Sequence, residues 1–351
     1  MSQCDIVLPM PNMPHRQVSP KLFSILVTVV FGIVLCSGPC FAATYQYIRL
    51  GHAQDASSKP VAGFALMGGG DDLDSAFKWL CERADGGDFL ILRARGDDDY
   101  NPYVNGLCKL NSVATLIIPD RESAQDPKVA EIIRSAEAVF IAGGDQSRYI
   151  NFWQGTGVQK ALDANIAAGK PIGGTSAGLA VLGQFLYSAQ GDAPDDPDLT
   201  SRQALVNPYF ERVTVRRDFV KIPILQDTLT DTHFKARDRM GRGLAFLSRI
   251  VQDGWDAQPK EIAVDEKTAV LLEPNGEASV VGSSVVYFMR VTKAPATCQP
   301  KTPLTLRDVS VVRIAAGGSF NVAAWAGKGE TYSLSVEKGI VTSTQPGGGI
   351  Y

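Results

Sequence analysis

The chain has 351 residues, of which 45% are hydrophobic and 20% charged, and its formal net charge is −3. That balance is ordinary for a globular protein able to bury one large core, with or without a small appendage. The near-neutral charge gives no reason to expect nucleic acid as a partner, so any basic character that matters must be local.

Leu22 to Leu35 is apolar apart from Ser24, Thr28 and Gly32, and Arg16 and Lys21 precede it. Ser37-Gly38-Pro39 breaks the run, and Cys40-Phe41-Ala42 sets small residues around a cleavage point. Residues 1–42 thus have the layout of a secretory signal peptide. An uncleaved anchor is the alternative reading, since Leu22 to Phe41 is about long enough to span a bilayer. Leu35 and Pro39 are poor residues to precede a lipidated Cys36 or Cys40. Cleavage would leave an exported protein, periplasmic or extracellular, with no stable membrane association and in an oxidising place. Cys81, Cys108 and Cys298 would remain. A Cys81–Cys108 bridge is open, no framework of bridges is implied, and no Cys/His spacing suggests a metal.

Residues 43–60 are polar and irregular, a linker or an ordered arm. Val61 to Met67 reads as a strand entering the glycine loop Gly68-Gly69-Gly70-Asp71-Asp72, and Leu73 to Ala84 as a helix. Asp88 to Leu92 and Val113 to Ile118 read as buried strands, Pro127 to Ala136 as a helix, Ala138 to Ala142 as a strand and Val158 to Ala168 as a helix. Lys170-Pro171-Ile172 leads into a serine turn, and Ala177 to Leu186 is apolar enough for a buried helix. Apolar strands alternating with helices predict an α/β domain over residues 61–315, with a largely parallel central sheet flanked by helices. Ala189 to Ser201 is a loop rich in Asp, Pro and Gly. His233 to Val251 reads as a helix with Met240, Leu244, Leu247 and Val251 on one stripe. From Glu261 onward the short runs at 262–264, 269–272, 279–281, 284–290 and 308–314 predict an antiparallel C-terminal extension of the same sheet. Residues 316–351 are a Gly/Ser/Thr-rich tail with no assigned function.

Gly174-Thr175-Ser176-Ala177-Gly178 has the form of a nucleophile elbow, a strand-to-helix turn that exposes a serine hydroxyl. A serine needs a base. The chain has three histidines, His15, His52 and His233. Only His233 lies in the globular part, so a catalytic Ser176 makes His233 its base. Gly143-Gly144-Asp145-Gln146 follows a strand, at the edge where ligands bind in open α/β sheets. There the Gly144 N–H, with that of Ala177, could meet an oxyanion, and Gln146 could hold substrate; the plainer reading is an ordinary turn. Asp231-Thr232-His233 is followed by Arg237, Arg239 and Arg242. On a helix, Arg237 would share a face with His233. The three arginines would make a positive field suited to a carboxylate-bearing substrate, unless they form a solvated face. Asp265-Glu266 sits between two strand-like runs and could orient the histidine. The order serine, histidine, acid differs from that of lipases, which place the acid before the histidine.

These blocks, with Val264-Asp265-Glu266-Lys267-Thr268-Ala269, resemble four blocks of the cyanophycinase family of serine peptidases, in the same order and at similar spacing. The resemblance runs from about Val61 to about Ile314. It implies a fold like the class I glutamine amidotransferase domain. It also implies Ser176 as nucleophile, His233 as general base, Glu266 as its orienting acid, and a substrate cleft lined by Gln146, Asp231, Thr232, Arg237, Arg239 and Arg242. No metal or cofactor is implied. The implied activity is that of a secreted serine-type exopeptidase that hydrolyses cyanophycin, an aspartate backbone bearing arginine, to β-Asp-Arg dipeptides. Two other readings stay open: a peptidase for small α-aspartyl or isoaspartyl peptides, and a non-catalytic envelope protein that binds acidic peptides. The family usually has Gln where this chain has Thr232, which leaves substrate choice less constrained than reaction type. The implied partner is an aspartate-rich peptide or polymer. Family members are often dimers, and a homodimer is the corresponding expectation.

Overall fold

The computed structural model describes residues 44–193 and 196–351. The expected signal peptide lies outside the described residues. Among them, no helix is long and apolar enough to cross a membrane.

The chain runs β1 (Gln46–Gly51), β2 (Phe64–Met67), α1 (Asp74–Arg83), β3 (Asp88–Arg93), α2 (Tyr100–Leu107), β4 (Ser112–Ile117), α3 (Pro127–Ser135) and β5 (Ala138–Ile141). It continues with α4 (Gln146–Trp153), α5 (Gly157–Ala167), β6 (Ile172–Thr175), α6 (Ala177–Ala180), β7 (Phe185–Tyr187), α7 (Ser201–Val206), β8 (Val215–Arg217), β9 (Thr228–Asp231) and α8 (Met240–Gln252). The remainder is strand: β10 (Lys260–Val264), β11 (Thr268–Leu272), β12 (Glu277–Gly282), β13 (Val285–Arg290), β14 (Leu306–Ala315), β15 (Ser319–Asn321), β16 (Ala326–Gly327), β17 (Glu330–Glu337) and β18 (Ile340–Ser343).

The α/β class and the antiparallel C-terminal strands expected from the sequence are present. The central ladder β4-β3-β5-β6-β2 is parallel throughout. Its strands are continuous apolar runs because both faces are covered. One face packs under α1 and α2, around Phe77, Phe89 and Phe140. The other packs under α3, α4 and α5, around Leu90, Ile133, Trp153 and Leu162.

The C-terminal strands do not all extend this sheet. Only β11, β12, β15 and β16 join it, while β10, β13, β14, β17 and β18 build a second sheet with β7, β8 and β9. The second sheet lays Ile262, Val264 and Phe288 into the core of the first, where the Phe288 and Phe320 rings stack at 3.8 Å. Its other face packs under α7 and α8.

Three local expectations change and one is resolved. Residues 46–51, in the stretch read as a linker or an ordered arm, take the second form: they make β1, an edge strand antiparallel to β4. The helix expected over 177–186 is one turn, because at Gly183 the chain meets β9 so closely that a Cβ would stand 2.7 Å from the Thr228 carbonyl. The helix expected from His233 begins at Met240. Finally, the presumed tail supplies strands: Tyr332, Leu334 and Val336 alternate into the core with the period of a half-buried strand. Beyond them the Tyr351 hydroxyl donates to Asp238 Oδ1 (2.8 Å) and accepts the Met240 N–H (2.9 Å).

Candidate active site

Ser176 stands between β6 and α6 with φ 52° and ψ −120°, a conformation that costs a non-glycine residue backbone energy and recurs at functional sites. Its glycine neighbours make that turn sterically feasible. A Cβ on Gly174 would lie 2.5 Å from the Gly178 backbone, and one on Gly178 only 1.9 Å from the Ile141 carbonyl oxygen. The elbow therefore admits no side chain at either glycine.

Ser176 Oγ lies 2.7 Å from His233 Nε2, and His233 Nδ1 lies 2.6 Å from Glu266 Oε1. The carboxylate selects the tautomer with the proton on Nδ1, which leaves Nε2 to accept from the serine hydroxyl. His233 follows β9, and Glu266 sits in the turn between β10 and β11. The glycine loop after β2 joins all three segments. The Ser176 N–H donates to the Met67 carbonyl (3.1 Å), the His233 N–H to that of Gly68 (2.8 Å) and the Lys267 N–H to that of Gly69 (2.8 Å). Gly69 has φ +92°, and its Cα faces the imidazole.

Residues 233–239 form turns. Asp265 accounts for this: its buried Oδ1 accepts the N–H groups of Lys235 (3.0 Å) and Ala236 (2.9 Å), and its Oδ2 accepts the Ser284 hydroxyl. Of the acidic pair read from the sequence, Glu266 meets the imidazole and Asp265 shapes the loop that carries it. Burial pushes the His233 pKa below its ordinary 6.5. The hydrogen bond that Nδ1 donates to Glu266 opposes that shift, and the charges of Arg237 and Arg239 add to it. The net shift favours the neutral ring, the form able to accept a proton.

Gly144, Gln146, Ser176, Ala177, Thr232 and His233 line one cleft of about 510 Å³. Tyr149 secures the Gly143-Gly144 turn by donating to the Ala142 carbonyl (2.8 Å), and Asp145 caps α4 by accepting the Ser147 N–H (2.9 Å). Ala177 is the first residue of α6, so its N–H has no partner within the helix.

The arginines are arranged differently from the open positive face anticipated. Arg242, 2% exposed, is held by both oxygens of Asp231, which is itself 2% exposed. Asp231 therefore spends its carboxylate on that pair. Arg239 donates to the Thr232 carbonyl and hydroxyl and to Asp198 Oδ2 (2.6 Å). Arg237 is half exposed and reaches Asp198 (3.3 Å) and Glu266 (3.6 Å). Burial alone would raise the Asp198 carboxyl, but the hydrogen bond and charge of Arg239, helped by Arg237, bring it down to about 2. Asp198, Asp265 and the loop at Gly69 carry weight at the site that sequence reasoning did not assign. The glycine loop ending a strand was a usable signal; Asp265 was singled out only as half of an acidic pair that could orient the histidine, and Asp198, in a polar loop, offered no signal.

Residues 101–210 match the model of peptidase family S51, a span that holds Gly144, Gln146 and Ser176 and stops short of His233 and Glu266. The cyanophycinase of Trichormus variabilis is 25% identical over 217 residues, 60% of this chain and 65% of that protein. The cyanophycinase of Synechococcus elongatus is 28% identical over 220 residues, 60% of this chain and 61% of that protein. The chain thus matches slightly less than two thirds of either relative's length. A crystal structure of a peptidase from an acI-B1 Actinobacterium superposes with a TM-score of 0.49 at 18% identity, covering 74% of this chain and 97% of that one. The resemblance read from the four sequence blocks holds: the chain is similar to the cyanophycinase-like peptidases of family S51.

Proposed function

We propose that the chain is an exported serine-type exopeptidase of cyanophycinase type, acting through Ser176, His233 and Glu266. The observation that carries this reading is the unbroken hydrogen-bond chain from Ser176 Oγ through the imidazole to Glu266, set on a strained elbow beside a cleft.

In this mechanism Ser176 Oγ attacks the scissile carbonyl carbon while its proton passes to His233 Nε2. Glu266 holds the Nδ1 proton and stabilises the imidazolium. The carbonyl oxygen, now anionic, is met by the N–H groups of Gly144 and Ala177. The tetrahedral adduct collapses, the C–N bond breaks, and His233 gives its proton to the departing amine. Water then attacks the acyl-serine, with His233 taking its proton, and a carboxylic acid leaves as Ser176 Oγ recovers a proton.

The substrate is the aspartate backbone of cyanophycin, and Gln146, Arg237 and Arg239 stand where they can meet it. Thr232 ties its hydroxyl to Arg239 and is 2% exposed, so it offers the substrate little. This favours keeping small α-aspartyl or isoaspartyl peptides as the second reading. The bridge between Cys81 and Cys108 supports export, because such bonds persist in oxidising compartments.

The test incubates purified protein with insoluble cyanophycin and, separately, with aspartyl dipeptides, beside Ser176→Ala and His233→Ala. Clearing of the polymer by the wild type alone supports the proposal, with each variant at least about 10⁴-fold slower. Turnover of dipeptides alone selects the second reading. Inertness on both, with no labelling by a serine-directed phosphonate, refutes catalysis and leaves a binding protein.

A further inference from the structure

Five arginines besides His233 line the cleft, and four of them already face a carboxylate. Arg148 meets Asp145 (3.1 Å), Arg237 and Arg239 meet Asp198, and Arg242 meets Asp231. The fifth, Arg95, is exposed and makes no ion pair among the described residues.

The sheet order sets which strand end carries Arg95. Leu92 of β3 pairs with Ile141 of β5, and Ile141 pairs with Gly174 of β6. Arg95, Gly144 and Ala177 each follow their member of that row by three residues. All three line the cleft at the carboxyl edge of the parallel ladder, the edge that binds ligands in such sheets. Strands lie roughly 4.8 Å apart, so the end of β3, which carries the Arg95 loop, stands about 10 Å from the end of β6, with the Gly144 turn after β5 between them. Arg237 stands on the opposite side, with His233.

The loop presenting Arg95 is anchored. Arg93 Nη1 donates to the Asp97 carbonyl (3.0 Å) and to Asp97 Oδ1 (3.1 Å). Gly96, at φ +115°, lets the backbone pass over that guanidinium, which a Cβ would approach to 2.5 Å. The Asn101 N–H closes the turn on the Asp98 carbonyl (2.8 Å), and its side chain is fixed by Ile48 and Thr115. The first carboxylate of the run Asp97-Asp98-Asp99 is thus spent on Arg93.

We propose that Arg95 is a specificity-determining residue that anchors a substrate carboxylate about 10 Å from the scissile carbonyl, on the side of the Gly144 turn. The proposal rests on the reading of Ser176 as the reacting group. An extended chain rises about 3.3–3.6 Å per residue, so the anchored carboxylate lies about three residues along. The preferred ligand is then a chain of at least three or four carboxylate-bearing units, whether the carboxylate belongs to aspartate or to an arginine carried on it, and a dipeptide falls short of the anchor.

Binding to the full chain carrying Ser176→Ala tests this without turnover. Calorimetry compares tetra-aspartate with its neutral counterpart tetra-asparagine, and then repeats both with Arg95→Ala or Arg95→Lys added. Losing one charge-assisted contact should weaken tetra-aspartate about tenfold in the Ala variant, with partial recovery in the Lys variant and no change for tetra-asparagine. Equal weakening of both peptides, an unchanged tetra-aspartate affinity, or no tetra-aspartate binding would each overturn it. Phosphonate labelling of the wild type reports on the nucleophile separately, so failure of the catalytic reading is distinguishable from failure of the anchor.

Discussion

Replacing Gly69 with alanine isolates the role of the glycine loop in holding the base. A Cβ there would stand 2.4 Å from His233 Cε1 and Nε2. Ordinary contact begins at about 3.4 Å, so the ring must retreat by about 1 Å. The Ser176–His233 separation of 2.7 Å would then stretch to roughly 3.7 Å, beyond hydrogen-bond reach. A displacement of about 1 Å in a catalytic group costs on the order of 10²-fold in rate. The positive φ adds about 1–3 kcal/mol of destabilisation. Gly254→Ala separates the two effects: Gly254 also has positive φ (+73°), but a Cβ there would meet nothing within 4 Å. Both variants should lose stability in urea, whereas only Gly69→Ala should label about 10²-fold more slowly with a serine-directed phosphonate. Equal labelling rates in the two would refute the reasoning, since the imidazole would then not depend on that loop.

On the proposed mechanism His233 must be neutral to take the serine proton, and burial holds its pKa below 6.5, so the acid limb of labelling should have its midpoint below pH 6.5. Arg237→Gln removes a charge that disfavours the imidazolium, so the acid limb should move to higher pH; coincident limbs would contradict that coupling. The same shift enters folding. Between the folded value and 6.5 the unfolded chain binds the extra proton, so this group's contribution to stability is lost as pH drops below 6.5. Arg242→Met strands the Asp231 carboxylate without its cation and should cost about 3–5 kcal/mol in urea unfolding; adding Asp231→Leu should recover most of it. Reducing the Cys81–Cys108 bridge, which closes a loop of sequence separation 27, should cost about 3–4 kcal/mol and lower Tm; an unmoved Tm would contradict it.

The parallel ladder and the elbow could be read in advance because each is a local signal. An unbroken apolar run such as Phe89-Leu90-Ile91-Leu92 reports burial on both faces, and glycines around Ser176 report a tight turn. The pairing of Ser176 with His233 followed from scarcity, since only His233 was read within the globular part; His52 proves to be folded too, exposed at the end of β1 with its N–H on the Asn111 carbonyl (2.9 Å), away from the site. What escaped depends on contacts distant in sequence. Nothing around Glu261 or Val285 says which of two sheets a short strand joins. Helical spacing at 233–239 was overruled by Asp265, thirty residues downstream. Three clustered arginines looked like a free cationic surface because Asp198 and Asp231, which neutralise them, were read as loop and cleft. The strand at 330–337 did carry a signal, the alternation of Tyr332, Leu334 and Val336, hidden by the glycines and serines around it.

The turn holding Glu266 is where the chain crosses from β10 in one sheet to β11 in the other, while Ser176 belongs to the first sheet and His233 hangs from the second. A chain with one sheet assembled and the other still unformed therefore possesses no nucleophile–base contact at all. On the proposed mechanism, cleavage would thus require the two sheets to be docked, and a half-folded molecule would lack it.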